Sequence, residues 1–305
     1  MSEVPLMFRS GFVALVGRPN VGKSTLLNAI LNQKIAAVSH QPQTTRRQQL
    51  GILTTESAQI IFVDTPGLHV PQHKLGDFMN QAALDAIQDA DVIVWIVDSS
   101  QPPTKEDRLI SDRLNSIAEK PPMILVMNKI DLLNEADREI RTENFMRLLP
   151  QADLVQTSAI ARKQTEAIIS TIIEKLPEGP AYYDAEQVTD IYEKDIAAEL
   201  VREATLLYLE KEVPHCVAVR IDEFKDRSET NSYVAATIFV ERDSQKGIVI
   251  GKGGEMIKRI GQKAREQIEE MSGRKIFLEL RVKVSKNWRN NPDALKMMGY
   301  SKEES

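Results

Sequence analysis

At 305 residues the chain is long enough for two domains that each bury a core, and its single cysteine, Cys216, excludes a disulfide framework and a cysteine-rich zinc site while fitting a reducing compartment. The opening MSEVPLMFRS lacks a basic segment followed by an apolar run, and no apolar stretch nears the ~20 residues that span a bilayer, so a soluble, cytoplasmic protein is expected. A net charge of -5 argues against nucleic acid only if charge is spread evenly, and here it is not.

From Gly11 to about Leu176, short apolar runs alternate with helical patterns, which predicts an α/β domain over residues 8–176 with a doubly wound, mostly parallel sheet. FVALVG, IIFVD, DVIVWIVD, PMILVMNK and DLVQTSA are the strands, and each ends in polar or glycine residues at the edge where open α/β sheets bind ligands. KSTLLNAILNQ, KEDRLISDRLNSIAE and ADREIRTENFMRLL carry apolar residues at helical spacing. Pro177, Gly179 and Pro180 end the last helix of this half and open a linker over residues 177–187. An α+β domain over residues 188–285 follows: a helix from about Asp190 to Lys211, strands in CVAVRIDEF and SYVAATIFVER, a short helix, a glycine-rich turn, a helix from about Gly254 to Met271, and the strand KIFLELRVKV. In that strand Ile276, Leu278, Leu280, Val282 and Val284 alternate with Lys275, Glu279, Arg281 and Lys283, so one face is core and the other wet. Residues 286–305 form a tail.

GRPNVGKS at residues 17–24 follows a strand and opens a helix, the context that gives a GxxxxGK[ST] pattern its meaning. Glycines let backbone N–H groups close on phosphate oxygens, Lys23 reaches the outer phosphates, and Ser24 offers a hydroxyl to magnesium. Asp64, at the end of the next strand, is placed to hold the magnesium or its water, and Gly67 can put an N–H on the γ-phosphate. A plain turn would also account for Pro66 and Gly67, and only their position overrides it. Of Thr44 and Thr45, Thr45 is preferred as the hydroxyl that closes over the metal, so the metal set is Ser24, Thr45 and Asp64. NKID at residues 128–131 selects the base: the acceptor-only carboxylate of Asp131 suits the N–H groups of guanine and opposes the ring acceptor of adenine. Ser158 and Ala159 would put a backbone N–H on the guanine oxygen. The expected GTP set is Gly17, Arg18, Pro19, Asn20, Val21, Gly22, Lys23, Ser24, Thr25, Asp64, Thr65, Pro66, Gly67, Leu68, Asn128, Lys129, Ile130, Asp131, Ser158 and Ala159. Lys23, Asn20, Thr45 and Gly67 are assigned to the chemistry. Leu68 cannot orient a water. Gln41, Gln43, Gln48 and Gln49 carry no feature that aims them at one, and Arg46 and Arg47 read as solvated charge.

GIVIGKGGEMIKRIG holds a second glycine loop that lacks the GxxxxGK[ST] spacing. Gly251, Lys252, Gly253 and Gly254 fit the GxxG turn that clamps a single-stranded backbone in KH domains. Ile250 precedes the turn, and Lys258 and Arg259 follow it, to make with Lys286 and Arg289 an electrostatic track for RNA. Trp288 reads as a packing anchor.

The motifs in their order resemble the TRAFAC class of GTPases over residues 8–176, and the second half matches the type II arrangement of the KH fold. GRPNVGKST, QTTR, DTPG, NKID and VIGKGGEMIKRIG together resemble the bacterial Era family, whose members also carry a hydrophobic residue after the Gly67 position. The resemblance implies a slow GTP-hydrolysing factor that uses GTP, GDP and magnesium. It would bind the 3′ region of small-subunit ribosomal RNA and act in rRNA processing and small ribosomal subunit assembly, as a monomer, with peripheral association at the inner membrane. The alternative is a GTPase whose main partner is a membrane or cell-division protein, with RNA secondary. Asn20 stands where cation-activated GTPases have asparagine, so potassium, completed by the AVSHQPQ backbone, is a further expected cofactor.

Overall fold

Val13, Ala14, Leu15 and Val16 are fully buried in succession along β1 (Arg9–Val16), the pattern of a parallel strand covered on both faces. The computed structural model describes residues 8–39, 41 and 44–300. Their contacts divide into two units, the first made of residues 8–33, Thr45–His69 and Met79–Asp190, and the second of residues 34–39, 41, 44, 70–78 and 191–300.

In the first unit β1 is followed by α1 (Lys23–Leu31), β2 (Gln49–Thr54) and β3 (Ala58–Asp64). Then come α2 (Lys74–Gln88), whose first residues belong to the second unit, β4 (Val92–Asp98), α3 (Lys105–Asn115), β5 (Met123–Asn128), α4 (Glu135–Met146), β6 (Asp153–Gln156) and α5 (Thr165–Lys175). The sheet order is β2-β3-β1-β4-β5-β6, parallel except for β2, which runs antiparallel to β3 with Ile52 opposite Ile61. Because β3 and β4 flank β1 on opposite sides, the carboxyl end of β1 is the crevice where the winding reverses, and the loop of residues 17–24 leaves the sheet there. Trp95 of β4 is fully buried and meets Phe145 of α4 edge to face, with centroids 6.3 Å apart, which anchors α4 on the sheet.

Two elements lie outside the sequence reading. β2 has Gly51 at its centre and only six residues, and it is an antiparallel edge whose pairing depends on β3 rather than on its own apolar content. α2 buries Leu75, Met79, Ala83, Ala86 and Ile87 at helical spacing, but Gly76 and a run of polar residues obscure that stripe in the sequence. Arg46 is 1% exposed, which corrects the reading of solvated charge at that position.

The second unit contains α6 (Glu193–Tyr208), β7 (Ala218–Ser228), β8 (Asn231–Val240), α7 (Asp243–Ile250), α8 (Glu255–Ser272), β9 (Lys275–Val284) and α9 (Pro292–Met297). β7 and β8 form an antiparallel hairpin, and β9 adds parallel to β8 through the α7–α8 crossover. Val234, Ala236, Ile238 and Val240 of β8 pack with Leu200 and Ala204 of α6, Val249 of α7, and Ile260, Ala264 and Ile268 of α8. The helices therefore cover one face of this sheet. Trp288 is fully buried, donates from Nε1 to the Cys216 carbonyl at 2.9 Å and stacks on Tyr300, as an anchor should. Burial raises the pKa of the Cys216 thiol, which fits a structural residue. Glu203 of α6 is 3% exposed and is satisfied three ways, by Lys34 Nζ at 2.7 Å, the Val38 N–H at 3.0 Å and Gln267 Nε2 at 2.7 Å. That carboxylate fastens residues 34–38 within the unit.

Candidate functional site

At the end of β1 the backbone turns so tightly that only glycine fits two positions. A Cβ on Gly17 would strike the Ile96 carbonyl, and one on Gly22, at φ 101°, would strike the Asn128 side-chain amide. Gly22 caps α1, so the positive end of that helix and the N–H groups of its first turn face the crevice. Lys23 Nζ donates to the carbonyls of Gly17 at 3.0 Å and Arg18 at 3.2 Å, which arches the loop around its ammonium. Burial lowers the Lys23 pKa to about 8, against the pull of Asp64 and with help from Arg18. Burial likewise raises that of Asp64, against Lys23, Ser24 and Thr45. Both groups are pushed toward neutrality, the response of an enclosed pair to low dielectric.

Ser24, Thr45 and Asp64 come together as the sequence anticipates. Ser24 Oγ and Thr45 Oγ1 lie 2.8 Å apart, and both donate to Asp64 Oδ2, at 2.7 and 3.1 Å. Asp64 Oδ1 is buried without a hydrogen-bond partner. Two hydroxyls and an unsatisfied carboxylate oxygen form an all-oxygen set of the kind magnesium takes, so the residues fit that ion.

Gly67 lies against the phosphate loop, where a Cβ would come within 2.6 Å of Pro19 N. Thr65 is fully buried and donates to the Leu15 carbonyl at 2.7 Å, tying this segment to β1. Leu68 packs on the apolar cluster that includes Trp95 and Ile110 and borders a cavity of about 440 Å³ between α2 and α3. Its role is packing. Asn80, which sequence reasoning missed, clamps the next residue, accepting from the His69 N–H at 3.3 Å and donating to the His69 carbonyl at 2.7 Å.

Asn128 and Lys129 of the NKID segment brace the loop of residues 17–24. Asn128 Nδ2 donates to the Val21 carbonyl at 2.8 Å, and Oδ1 accepts from the N–H groups of Lys129 at 2.8 Å and Ala159 at 3.0 Å. Lys129, held at φ 65°, reaches the Asn20 carbonyl at 2.9 Å and Asp98 at 2.7 Å. Burial disfavours charge on Asp98, but hydrogen bonds from Lys129 and Ser100 outweigh it and hold the carboxyl below its usual range. Arg18 is taken up by Asp107 at 3.3 Å and Asp98 at 3.7 Å. Asp98 and Asp107 have no motif spacing, so nothing in the sequence marks them. Asp131 is exposed and Ser158 buried, with Thr25 and Ile130 on the flanking helical turns. Gln43 and parts of the AVSHQPQ stretch lie outside the described residues, as do residues 301–305 of the tail.

The second loop is built differently. α7 ends at Ile250, and Gly251, Gly253 and Gly254 take φ values of 73°, 61° and 82° before α8 begins. A Cβ on Gly253 or Gly254 would meet nothing within 4 Å, so these residues leave space above the backbone, and Lys252 is exposed. Beside the loop a groove of about 420 Å³ runs between α8 and the edge strand β9, lined by Ile257, Lys258, Gln262 and Arg265 on one side and Phe277 and Leu280 on the other. Gln262, Arg265 and Phe277 are additions to the sequence reading. Phe277 carried a signal, since it occupies the wet face of the β9 alternation. Lys258 faces the groove and Lys286 is exposed. Of the track, Arg289 is paired with Glu241 at 2.6 Å, so its charge is spent within the fold, whereas Arg259 lies over the Tyr208 ring at 4.6 Å and remains exposed with its charge intact. Among the described residues no helix is long and apolar enough to cross a membrane.

Comparison with known proteins agrees with this division. Residues 12–129 match the family model described as 50S ribosome-binding GTPase, and residues 212–289 match that of the KH domain. The chain is 43% identical to GTPase Era of Heliobacterium modesticaldum over 292 residues, 96% of this chain and 97% of that one. It is 45% identical to GTPase Era of Leuconostoc citreum over 297 residues, 97% of this chain and 98% of that one. Among solved structures, Era in complex with MgGDPNP and nucleotides 1506-1542 of 16S ribosomal RNA superposes with a TM-score of 0.91 at 36% identity, covering 96% of this chain and 99% of the other. An Aquifex aeolicus Era variant bound to GDP.AlF4- gives the same TM-score and identity, covering 96% and 100%.

Proposed function

The chain belongs to the Era family of GTPases, and from that premise we propose that it couples GTP hydrolysis to binding of the 3′ region of small-subunit ribosomal RNA during rRNA processing and small-subunit assembly. The observation that carries the reading is the presence in one chain of an enclosed glycine-lysine loop beside a buried carboxylate with an unsatisfied oxygen and of an open GxxG loop near a groove. The relative solved with 16S ribosomal RNA supports the choice of RNA. Lys23 neutralises the outer phosphates, Asp131 selects guanine, and the Gly67 N–H and Thr45 hydroxyl meet the γ-phosphate side. Magnesium held by Ser24, Thr45 and Asp64 draws charge off the β- and γ-phosphates when bound. Potassium at Asn20 would do the work that an arginine does elsewhere, and equal GTP turnover in matched potassium and sodium chloride would remove that part of the proposal.

The place of action in this reading is the cytoplasm, by a monomer, with peripheral contact at the inner membrane. Crosslinking the protein to RNA in cells and sequencing the fragments tests it. Reads concentrated near the 3′ end of small-subunit rRNA are expected. A scatter without that peak would favour a membrane or cell-division protein as the main partner.

A further inference from the structure

Ile276, Leu278 and Leu280 of β9 join the core under the helices, so Phe277 between them stands on the opposite face, 63% exposed. Its register partner on β8 is Tyr233, and the two rings stack with centroids 5.9 Å apart and planes 21° from parallel. The Tyr233 hydroxyl donates to Glu279 at 2.7 Å, which fixes the lower ring. On β7 the register shifts between Asp226 and Ser228, and this bulge turns Arg227 so that its guanidinium lies 4.8 Å from the Tyr233 centroid and 5.9 Å from that of Phe277. Bulges re-aim side chains in this way beside functional sites. An aromatic ring backed by a second ring and flanked by a cation, yet left open to solvent, is the form of a base-stacking platform. Phe277 also lines the groove beside α8, so the platform adjoins the surface that runs along α8 from Ile257 and Lys258, just after the glycine turn.

We propose that Phe277, positioned by Tyr233 and Arg227, stacks an unpaired nucleobase of the RNA strand as it leaves the groove. The inference rests on the RNA reading of the second loop. Because every base has a π face, the platform would favour single-stranded over paired RNA and tolerate any base. Arg227 adds a positive charge near the backbone of that nucleotide.

The test uses the full chain, the RNA of nucleotides 1506–1542 of 16S ribosomal RNA, and its single-stranded truncations, with 2-aminopurine placed at each unpaired position. In wild type, one nucleotide beyond the groove segment should tighten binding about tenfold and have its 2-aminopurine quenched. Phe277→Ala should abolish both effects, Phe277→Trp should restore them, and GTP turnover and melting temperature should not change. Gly253→Asp keeps the two possible failures apart. If Phe277→Ala binds every truncation like wild type while Gly253→Asp binds none, the platform is wrong and the RNA reading stands. If wild type binds none of the RNAs, both fall. Loss of binding to assembled small subunits alone, with naked RNA unaffected, would assign the face to a protein and overturn the proposal.

Discussion

The two glycine loops use the same residue types for opposite ends. In residues 17–24 glycine is required because the protein fills the space: Gly17 is pressed by Ile96 and Gly22 by Asn128, and Lys23 is 6% exposed. In residues 251–254 the space above Gly253 and Gly254 is empty, and Lys252 is exposed. The first loop is packed by its own protein, and its Lys23 and Asp64 are buried away from solvent. The second presents backbone to a ligand much larger than itself and relies on charge that solvent and salt can screen.

The largest effect that tests this contrast is expected in the packed loop. Gly22→Ala drives a methyl group into the Asn128 amide that also holds Val21 and Ala159. GTP affinity should fall by roughly a hundredfold or more, since a strained residue and a broken buried network each cost on the order of 1–3 kcal/mol. RNA affinity should stay within about twofold of wild type. Titration with a fluorescent GTP analogue and with labelled RNA reads both, and parallel losses would mean that the loops are not independent.

Salt sharpens the difference next. RNA affinity should fall steeply between 50 and 200 mM salt, on the order of tenfold or more, and Lys258→Ala should reduce the log–log slope by about one, because that lysine faces the groove. Arg289→Ala should leave the slope unchanged, its charge being paired with Glu241. An equal slope change in both variants would put Arg289 back on the track.

The smallest effect is a proton. Burial holds the Lys23 ammonium at a pKa of about 8, and a bound triphosphate raises it. The protonated form is the one that phosphates favour, so GTP affinity is full below pH 8 and declines as pH climbs from about 8 toward the higher pKa of the bound state. Calorimetry at pH 8 in buffers of different ionisation enthalpy should show uptake of about half a proton per GTP, absent in Lys23→Met. Zero uptake in wild type would mean that Lys23 is fully charged before GTP binds.

What the sequence disclosed follows the same contrast. The tight turn at Gly17 and the meeting of Ser24 with Asp64 were legible because the GxxxxGK[ST] spacing after a strand leaves few alternatives, and the GxxG turn was legible from its flanking apolar stripe. Asp98, Asp107 and Asn80 were not, since each acts through a contact remote in sequence that no local pattern encodes. Arg46 and Arg289 misled for a related reason. Arginine is usually solvated, and here one is buried and the other has its charge paired with a carboxylate. β2 depends on β3 for its pairing, which apolar content alone does not reveal.

The central claim is that one chain carries two separable ligand sites, and Gly253→Asp tests it most directly. At φ 61° any side chain strains the backbone, but aspartate tolerates this conformation better than most residues and its Cβ meets nothing within 4 Å, so its carboxylate would stand where a sugar–phosphate backbone must approach. Measured on one preparation, affinity for single-stranded RNA should fall by about a hundredfold or more while basal GTP turnover stays at the wild-type rate. RNA binding equal to wild type, or a loss of GTP turnover in step with RNA, would contradict the account.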